Sequence, residues 1–230
     1  MEISPVFTAE DALNHYLLAY EYSKRNPNHK AGKPISCGES TQAAEAIILL
    51  VNSIEGYFNR VIYLLIKNNN WSADLLNERV GSKFNKLIGG THPLKQDYDE
   101  VIVVRNALTH SHIYETERTN DREIINVQIL ALVNDKTWKR VVDQITYKTH
   151  KLGLNAIPSE ICFYDAKKVF TFWTGLYEAM KVKYPQYYYL QPLYPNLYKS
   201  LYRSKPDLEE KLNQAFRNEG TMEGWTQFYE

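Results

Sequence analysis

Cysteine is scarce in this sequence: Cys37 and Cys162 are the only two, and they lie far apart. Zinc ribbons and thioredoxin-like redox sites need closely paired cysteines, so both classes are excluded. Isolated thiols are typical of a reducing compartment. Glycine and proline are also few, at 10 and 9 of 230 residues, which excludes a fibrous or low-complexity chain.

An excess of either charge is also lacking, because 27 basic residues balance 27 acidic ones. Non-specific affinity for nucleic acid comes mainly from neutralising phosphates, so a neutral chain is not a bulk nucleic-acid binder. Any contact with RNA must therefore use a local patch.

No basic region followed by an apolar run is present near the N-terminus, so no secretory signal is predicted. The longest apolar stretch, residues 43–66, contains several charged residues and is a poor membrane span. We expect a cytoplasmic protein that does not bind membranes, with this stretch as a core helix.

Hydrophobic periodicity predicts a mainly α-helical fold. Helices are expected over 8–24, 40–68, part of 71–88, 93–110 and 165–183, with Thr8 and Ser40 as N-caps. The helix over 40–68 is apolar on nearly all sides, which places it at the centre of a bundle. Asp97, Asp99 and Glu100 near the start of the helix over 93–110 suit its dipole.

The order of these elements predicts a helical domain over residues 1–183, with a small β/helix insertion at about 114–158. β-branched residues favour a strand over 123–133, and the spacing of apolar residues over 137–149 favours a helix. Residues 184–230 form a Tyr/Pro-rich extension with a short helix that packs on the same domain. Its tyrosines could stack RNA bases, but packing on the bundle is favoured because the chain lacks a basic excess.

A charged residue interrupts the inner apolar stripe of two predicted helices: Arg105 in the helix over 93–110, and Glu55 in the helix over 40–68. A buried charge needs a partner or a cavity. The arginine fork fits a carboxylate, so we predict that Glu55 holds Arg105. A purely structural ion pair is the alternative interpretation.

Asn106 and His110 lie close to Arg105 in sequence. Asn106 and His110 are four residues apart and share a helix face, whereas Arg105 and His110 are five apart and point in different directions. Two copies related by a two-fold axis could bring both pairs into one cleft. His110 and His112 could form a metal pair, but no third ligand has suitable spacing, so no metal or cofactor is expected.

The segment Arg105-Asn106-Ala107-Leu108-Thr109-His110 resembles the signature of HEPN domains. That signature is an Arg, usually followed by a polar residue, and a His after four to six intervening residues. The order of elements over residues 8–183 is similar as well, with a long apolar helix before the motif and a further helix after a short insertion. The resemblance implies a HEPN-like helical bundle that forms a homodimer with the motif at the interface.

The resemblance also implies a metal-independent endoribonuclease. His110 would act as general acid or base, Arg105 would stabilise the transition state, and Asn106 would orient the His or the phosphate. The products would carry a 2′,3′-cyclic phosphate and a 5′-hydroxyl. Two alternatives stay open: a non-catalytic HEPN-like module that binds a nucleotide or a protein, and a structural interaction protein in which Arg105 and Glu55 form a buried salt bridge.

Many HEPN proteins are toxins or abortive-infection effectors encoded beside an antitoxin, which implies RNA as substrate and an antitoxin as a further partner. Some carry a Tyr two residues after the His, where a nucleotidyltransferase modifies it. Here that position is His112, with Tyr114 two residues further on, so the sequence does not support that mode of regulation.

Overall fold

The structure of the protein is a computed structural model that describes residues 5–25, 33–69, 71–109, 114–120, 124–129 and 136–190. The helices in these ranges are α1 (Pro5–Ser23), α2 (Cys37–Asn69), α3 (Val80–Leu87), α4 (Lys95–Thr109), α5 (Lys136–Val141) and α6 (Phe163–Lys183). Short 3-10 turns cover Ala73–Asn77, Pro158–Glu160 and Pro185–Leu190. Strands β1 (Tyr114–Arg118) and β2 (Ile124–Ile129) pair antiparallel between α4 and α5. The prediction of a mainly α-helical fold is confirmed, while its HEPN-like form stays a prediction.

α2 lies at the centre of the bundle and packs against α1, α3, α4 and α6. These contacts confirm the predicted central position. Its fully buried side chains, which include Ile47, Leu50, Ile54, Phe58 and Ile62, cover only about half of the helix surface. The prediction of an apolar helix buried on nearly all sides is therefore wrong, because Glu45, Asn52 and Tyr63 on the opposite side are exposed. By length and composition α2 could also cross a membrane, and half of its most apolar window is buried inside the fold. Core helices of soluble proteins pass the same test, so the absence of membrane binding stays a prediction.

The start of α2 differs from the prediction, because the helix begins three residues earlier and Ser36, not Ser40, caps it. Ser36 Oγ accepts a hydrogen bond from the backbone amide of Glu39 at 3.2 Å. Glu39 is fully buried, and its carboxylate accepts hydrogen bonds from the amides of Ile35 at 2.7 Å and Phe163 at 2.9 Å. Glu39 therefore joins the start of α2 to the start of α6.

Three further predictions of local structure are wrong. α1 begins at Pro5, so Thr8 lies within the helix and does not cap it. The helix predicted over 137–149 stops at Val141, because the Asp143 carboxylate accepts hydrogen bonds from the amides of Ile145 and Thr146 and closes a turn that competes with the helix. The polar sequence over 114–122 favours a loop, but its first five residues form β1, because the backbone of β1 pairs with β2.

α4 carries the predicted site residues and is buried on two sides. Tyr98, Val101 and Val104 belong to the main core. Val103 and Ala107, on another side, form a second apolar cluster with Trp138, Val141, Val142 and Ala156. α5 is therefore held against α4 by its apolar face.

The chain beyond α6 packs on the bundle where the structure describes it. Tyr184 and Tyr187 are buried against the main core, and the Tyr184 hydroxyl donates to the carbonyl of Leu87 at 3.2 Å. The rest of the predicted extension, residues 191–230, lies outside the described residues, and so does its predicted short helix.

Candidate functional site

Arg105 lies one turn before the end of α4 and is half-buried. Its Nε atom is buried and has no hydrogen-bond partner among the described residues. Most buried polar groups in proteins are paired, because an unsatisfied one costs about 1–3 kcal/mol, and more when it is charged. The ion pairs among the described residues do not include Arg105. The guanidinium therefore has a donor that the described chain leaves unused.

Glu55 is half-buried on α2, and the direct ion pair predicted with Arg105 is absent from those of the described residues. Both charges act instead on Tyr98, which lies on α4 two turns before Arg105 and on the same face. Tyr98 is only 2% exposed, and its hydroxyl has no hydrogen-bond partner in the part of the chain that the structure describes. The two charges thus share a neutral, buried neighbour.

Burial is the main reason that the pKa of Tyr98 lies far above its ordinary value. The negative charges of Glu55 and Asp99 raise this pKa further, and the positive charge of Arg105 opposes them. Tyr98 therefore stays protonated at any physiological pH. Its hydroxyl can donate a hydrogen bond, and it cannot act as a base.

The other predicted site residues are placed only in part. Asn106 is half-buried beside Arg105 on α4. His110 and His112 lie outside the described residues. Tyr114 begins β1, and its side chain is not described. The structure therefore brings Arg105 and Asn106 together near the end of α4, and the position of His110 stays a prediction.

A cleft of about 440 Å³ lies at the opposite end of α4. Residues 90–93, the first turns of α4 and the end of α5 enclose it, and Lys95, Asp99 and Arg140 line it. Asp99 pairs with Lys95 and, at 3.3 Å, with Arg140, whose side chain is 66% exposed. One carboxylate thus holds two cations at this cleft. The sequence pattern did not indicate this arrangement of Asp99, Lys95 and Arg140.

Glu100 also lines the cleft, and it ties α4 to the segment that follows α5. It is 1% exposed, and its carboxylate accepts hydrogen bonds from the backbone amides of Lys151 and Leu152, at 2.7 Å each. Lys151 in turn pairs with Asp97 at 2.8 Å. A signal was present in the sequence, because Glu100 precedes the apolar run Val101 to Val104 and a carboxylate there needs buried donors.

Neither cysteine belongs to this site. Cys37 is exposed, whereas Cys162 is buried at the N-cap of α6 beside Asp165. Burial raises the pKa of the Cys162 thiol to about 12, so it stays protonated and is not a nucleophile. Within the described ranges, no three His, Cys, Asp or Glu side chains lie together as a metal site would require.

No protein-family model matches this sequence, and no match was found among curated proteins or solved structures. The HEPN resemblance therefore depends on Arg105, Asn106 and His110 and on the order of the helices around them. Function is accordingly inferred from α4 and its surroundings.

Proposed function

We propose that the protein is a metal-independent endoribonuclease of the HEPN type that acts as a homodimer. The observation that carries this proposal is Arg105, which is half-buried, forms no ion pair with a described residue, and has a buried Nε without a hydrogen-bond partner among the described residues. Its positive charge is therefore not neutralised by the described chain, and the guanidinium fork fits the oxygens of a phosphate. RNA is the substrate class that places a phosphate beside an internal nucleophile.

In the proposed reaction Arg105 donates to the non-bridging oxygens of the scissile phosphate and stabilises the charge that develops there. His110, the residue after the end of α4, takes the proton of the 2′-hydroxyl or gives one to the leaving 5′-oxygen. The 2′-oxygen bonds to phosphorus as the bond to the 5′-oxygen breaks. The products are a 2′,3′-cyclic phosphate and a 5′-hydroxyl, and Asn106 orients His110 or the phosphate.

The dimer follows from helix geometry. Residues five positions apart on an α-helix are separated by about 140° around its axis, so if the helix continues by one residue to His110, Arg105 and His110 of one copy would point in different directions. A second copy related by a two-fold axis supplies the missing partner. We further propose a cytoplasmic role as a toxin or abortive-infection effector, controlled by an antitoxin.

A second candidate is a non-catalytic module that binds a nucleotide or a protein. The cleft of about 440 Å³ favours it, because Lys95 and Arg140 could hold a nucleotide phosphate there. The third hypothesis is a structural interaction protein in which Arg105 and Glu55 form a salt bridge. It loses support because that pair is absent from the ion pairs of the described residues.

The test is cleavage of a mixed RNA pool by the purified protein in EDTA, beside Arg105→Ala and His110→Ala. Arg79→Ala is the matched control, because Arg79 is an exposed arginine at the start of α3 with no side-chain cap hydrogen bond. We expect the wild type and the control to leave cyclic phosphates. The other two variants should lose activity by about 100-fold or more, the usual contribution of such groups.

Mixing the two inactive variants tests the shared site. A heterodimer retains one Arg105 and one His110 in different chains, so activity returns if a site combines residues from both copies. Cleavage that persists in both single variants would refute the assigned residues. A folded, dimeric wild type that cleaves nothing would favour the binding module.

A further inference from the structure

Positive charge is concentrated in α5 and the segment that follows it. Residues 136–151 contain five basic residues against one acidic residue, a net charge of +4 in a chain whose formal charge is zero. The basic residues are Lys136, Lys139, Arg140, Lys148 and Lys151. In the folded protein Asp97 and Asp99 of α4 pair with Lys151 and Arg140, so Lys136, Lys139 and Lys148 carry the part of this charge that is not paired among the described residues. A local concentration of positive charge of this kind attracts polyanions.

The cations of α5 form one exposed face. Lys136, Lys139 and Arg140 are spaced by three and four residues, so they lie on the same side of the helix, and all three are exposed. The other side carries Trp138 and Val141, which are 3% and 5% exposed. The apolar side fixes α5 to α4, and the basic face points to solvent.

This basic face lies beside the helix that carries the proposed catalytic residues. Arg140 reaches Asp99 in the first half of α4, and the apolar side of α5 shares a cluster with Val103 and Ala107 in the second half. Asn106 is seven residues, and therefore about 11 Å, beyond Asp99 along α4 and on the same face. An RNA strand that lies along α4 would reach the basic face within a few nucleotides of the scissile phosphate.

We propose that the basic face of α5, together with Lys95 in the adjoining cleft, binds the phosphate backbone of single-stranded RNA next to the scissile phosphate. This inference rests on the proposed nuclease function and identifies how a neutral protein holds its substrate. Asp99 keeps Lys95 and Arg140 in place. The Arg140 side chain is 66% exposed, so its pair with Asp99 is weak enough for a phosphate to compete.

A membrane surface is the less suitable polyanion. Amphipathic helices that bind lipid present an apolar face to it, and the apolar side of α5 is already buried against α4. Ile145 is 88% exposed in the same segment, but a single exposed apolar residue is ordinary on protein surfaces. Anionic vesicles are nevertheless one arm of the test.

Binding is measured by fluorescence anisotropy with a labelled, fully 2′-O-methylated oligonucleotide, which lacks the internal nucleophile and separates binding from cleavage. The test variant is Lys136→Gln/Lys139→Gln/Arg140→Gln. The control is Lys67→Gln/Arg79→Gln/Lys86→Gln, which also removes two lysines and one arginine from exposed positions. Circular dichroism checks that both are folded.

Each phosphate contact contributes about 0.7 to the slope of log K against log salt for a single strand. The test variant should therefore lose about 2 from this slope and bind about 100-fold more weakly at 0.1 M salt, while the control keeps the wild-type slope. Wild-type binding by the test variant would overturn the proposal, as would an equal loss in the control. Tighter binding to phosphatidylserine vesicles than to the oligonucleotide would also overturn it.

The outcomes separate this inference from the nuclease proposal. A protein that binds the methylated strand through α5 but never cleaves natural RNA would refute the nuclease and leave this surface assigned. A triple variant that cleaves natural RNA at the wild-type rate under limiting substrate would refute the surface and leave the nuclease in place.

Discussion

The substitution Glu100→Gln tests how α4 holds the segment after α5. The carboxylate is 1% exposed and accepts two backbone hydrogen bonds of 2.7 Å, from Lys151 and Leu152. Glutamine has one oxygen, so its amide group would turn a donor towards one of these N–H groups. A hydrogen bond to a charged group contributes about 1.5–3 kcal/mol and a neutral one about 1 kcal/mol.

From one bond lost and one weakened, we expect the free energy of unfolding to fall by about 3 kcal/mol. In a chain of this size that lowers Tm by about 6–12 °C. Urea denaturation followed by circular dichroism gives the free energy, and hydrogen exchange shows whether the amides of Lys151 and Leu152 lose protection.

Asp99→Asn is the matched control, because it removes the same charge from the neighbouring residue. The Asp99 side chain is 21% exposed and makes ion pairs with Lys95 and Arg140. Asparagine keeps an oxygen that accepts from either cation, so the substitution should cost about 1–2 kcal/mol, less than Glu100→Gln. If Glu100→Gln costs no more than Asp99→Asn, or if the two amides stay protected, the reasoning is wrong.

Two further predictions concern buried groups. With a thiol reagent at pH 8, the folded protein should show one fast-reacting cysteine, Cys37, because burial raises the pKa of Cys162 to about 12. Two fast-reacting thiols would contradict the burial of Cys162. The folded state also holds the Cys162 proton more tightly than the unfolded chain does, so this group makes the free energy of unfolding fall as the pH rises from 9.0, its ordinary pKa, towards 12. Tyr98→Phe removes a buried hydroxyl without a partner and should raise the free energy of unfolding by about 1 kcal/mol, whereas Tyr98→Ala should lower it by about 3–5 kcal/mol. A loss of stability in Tyr98→Phe would show that the hydroxyl has a partner.

The long helices were predictable because their signals are local. The apolar pattern of α2 and α6 repeats over many turns, so it identified both helices and the central place of α2. The missed cap also had a local signal, since Ser36 and Glu39 have the spacing of a capping box. The turn at Asp143 had one as well, because an aspartate that accepts from the next amides is a local turn signal. The turns over residues 151–155 had none, because Glu100 and Asp165 hold them from α4 and α6.

The candidate site was predictable only as far as helix faces allow. The interrupted stripe correctly marked Arg105 and Glu55 as inner, half-buried charges. Which side chains meet between two helices depends on how each helix is rotated and how far it is shifted along its axis. The apolar pattern of a single helix does not encode either quantity. Tyr98 lies on the same apolar stripe as Arg105, and the pattern does not indicate that it lies near both Arg105 and Glu55.

The Glu39 bridge between α2 and α6 also has a consequence for synthesis on the ribosome. The 93 residues numbered 70 to 162 separate the end of α2 from the start of α6. At about 5–20 residues per second, their translation takes about 5–20 s. Throughout that interval the side of α2 that α6 later covers is exposed, and Glu39 lacks the amide of Phe163. The nascent chain is then a target for chaperones and proteases, so substitutions that weaken the docking of α6 should reduce the yield of the protein in cells.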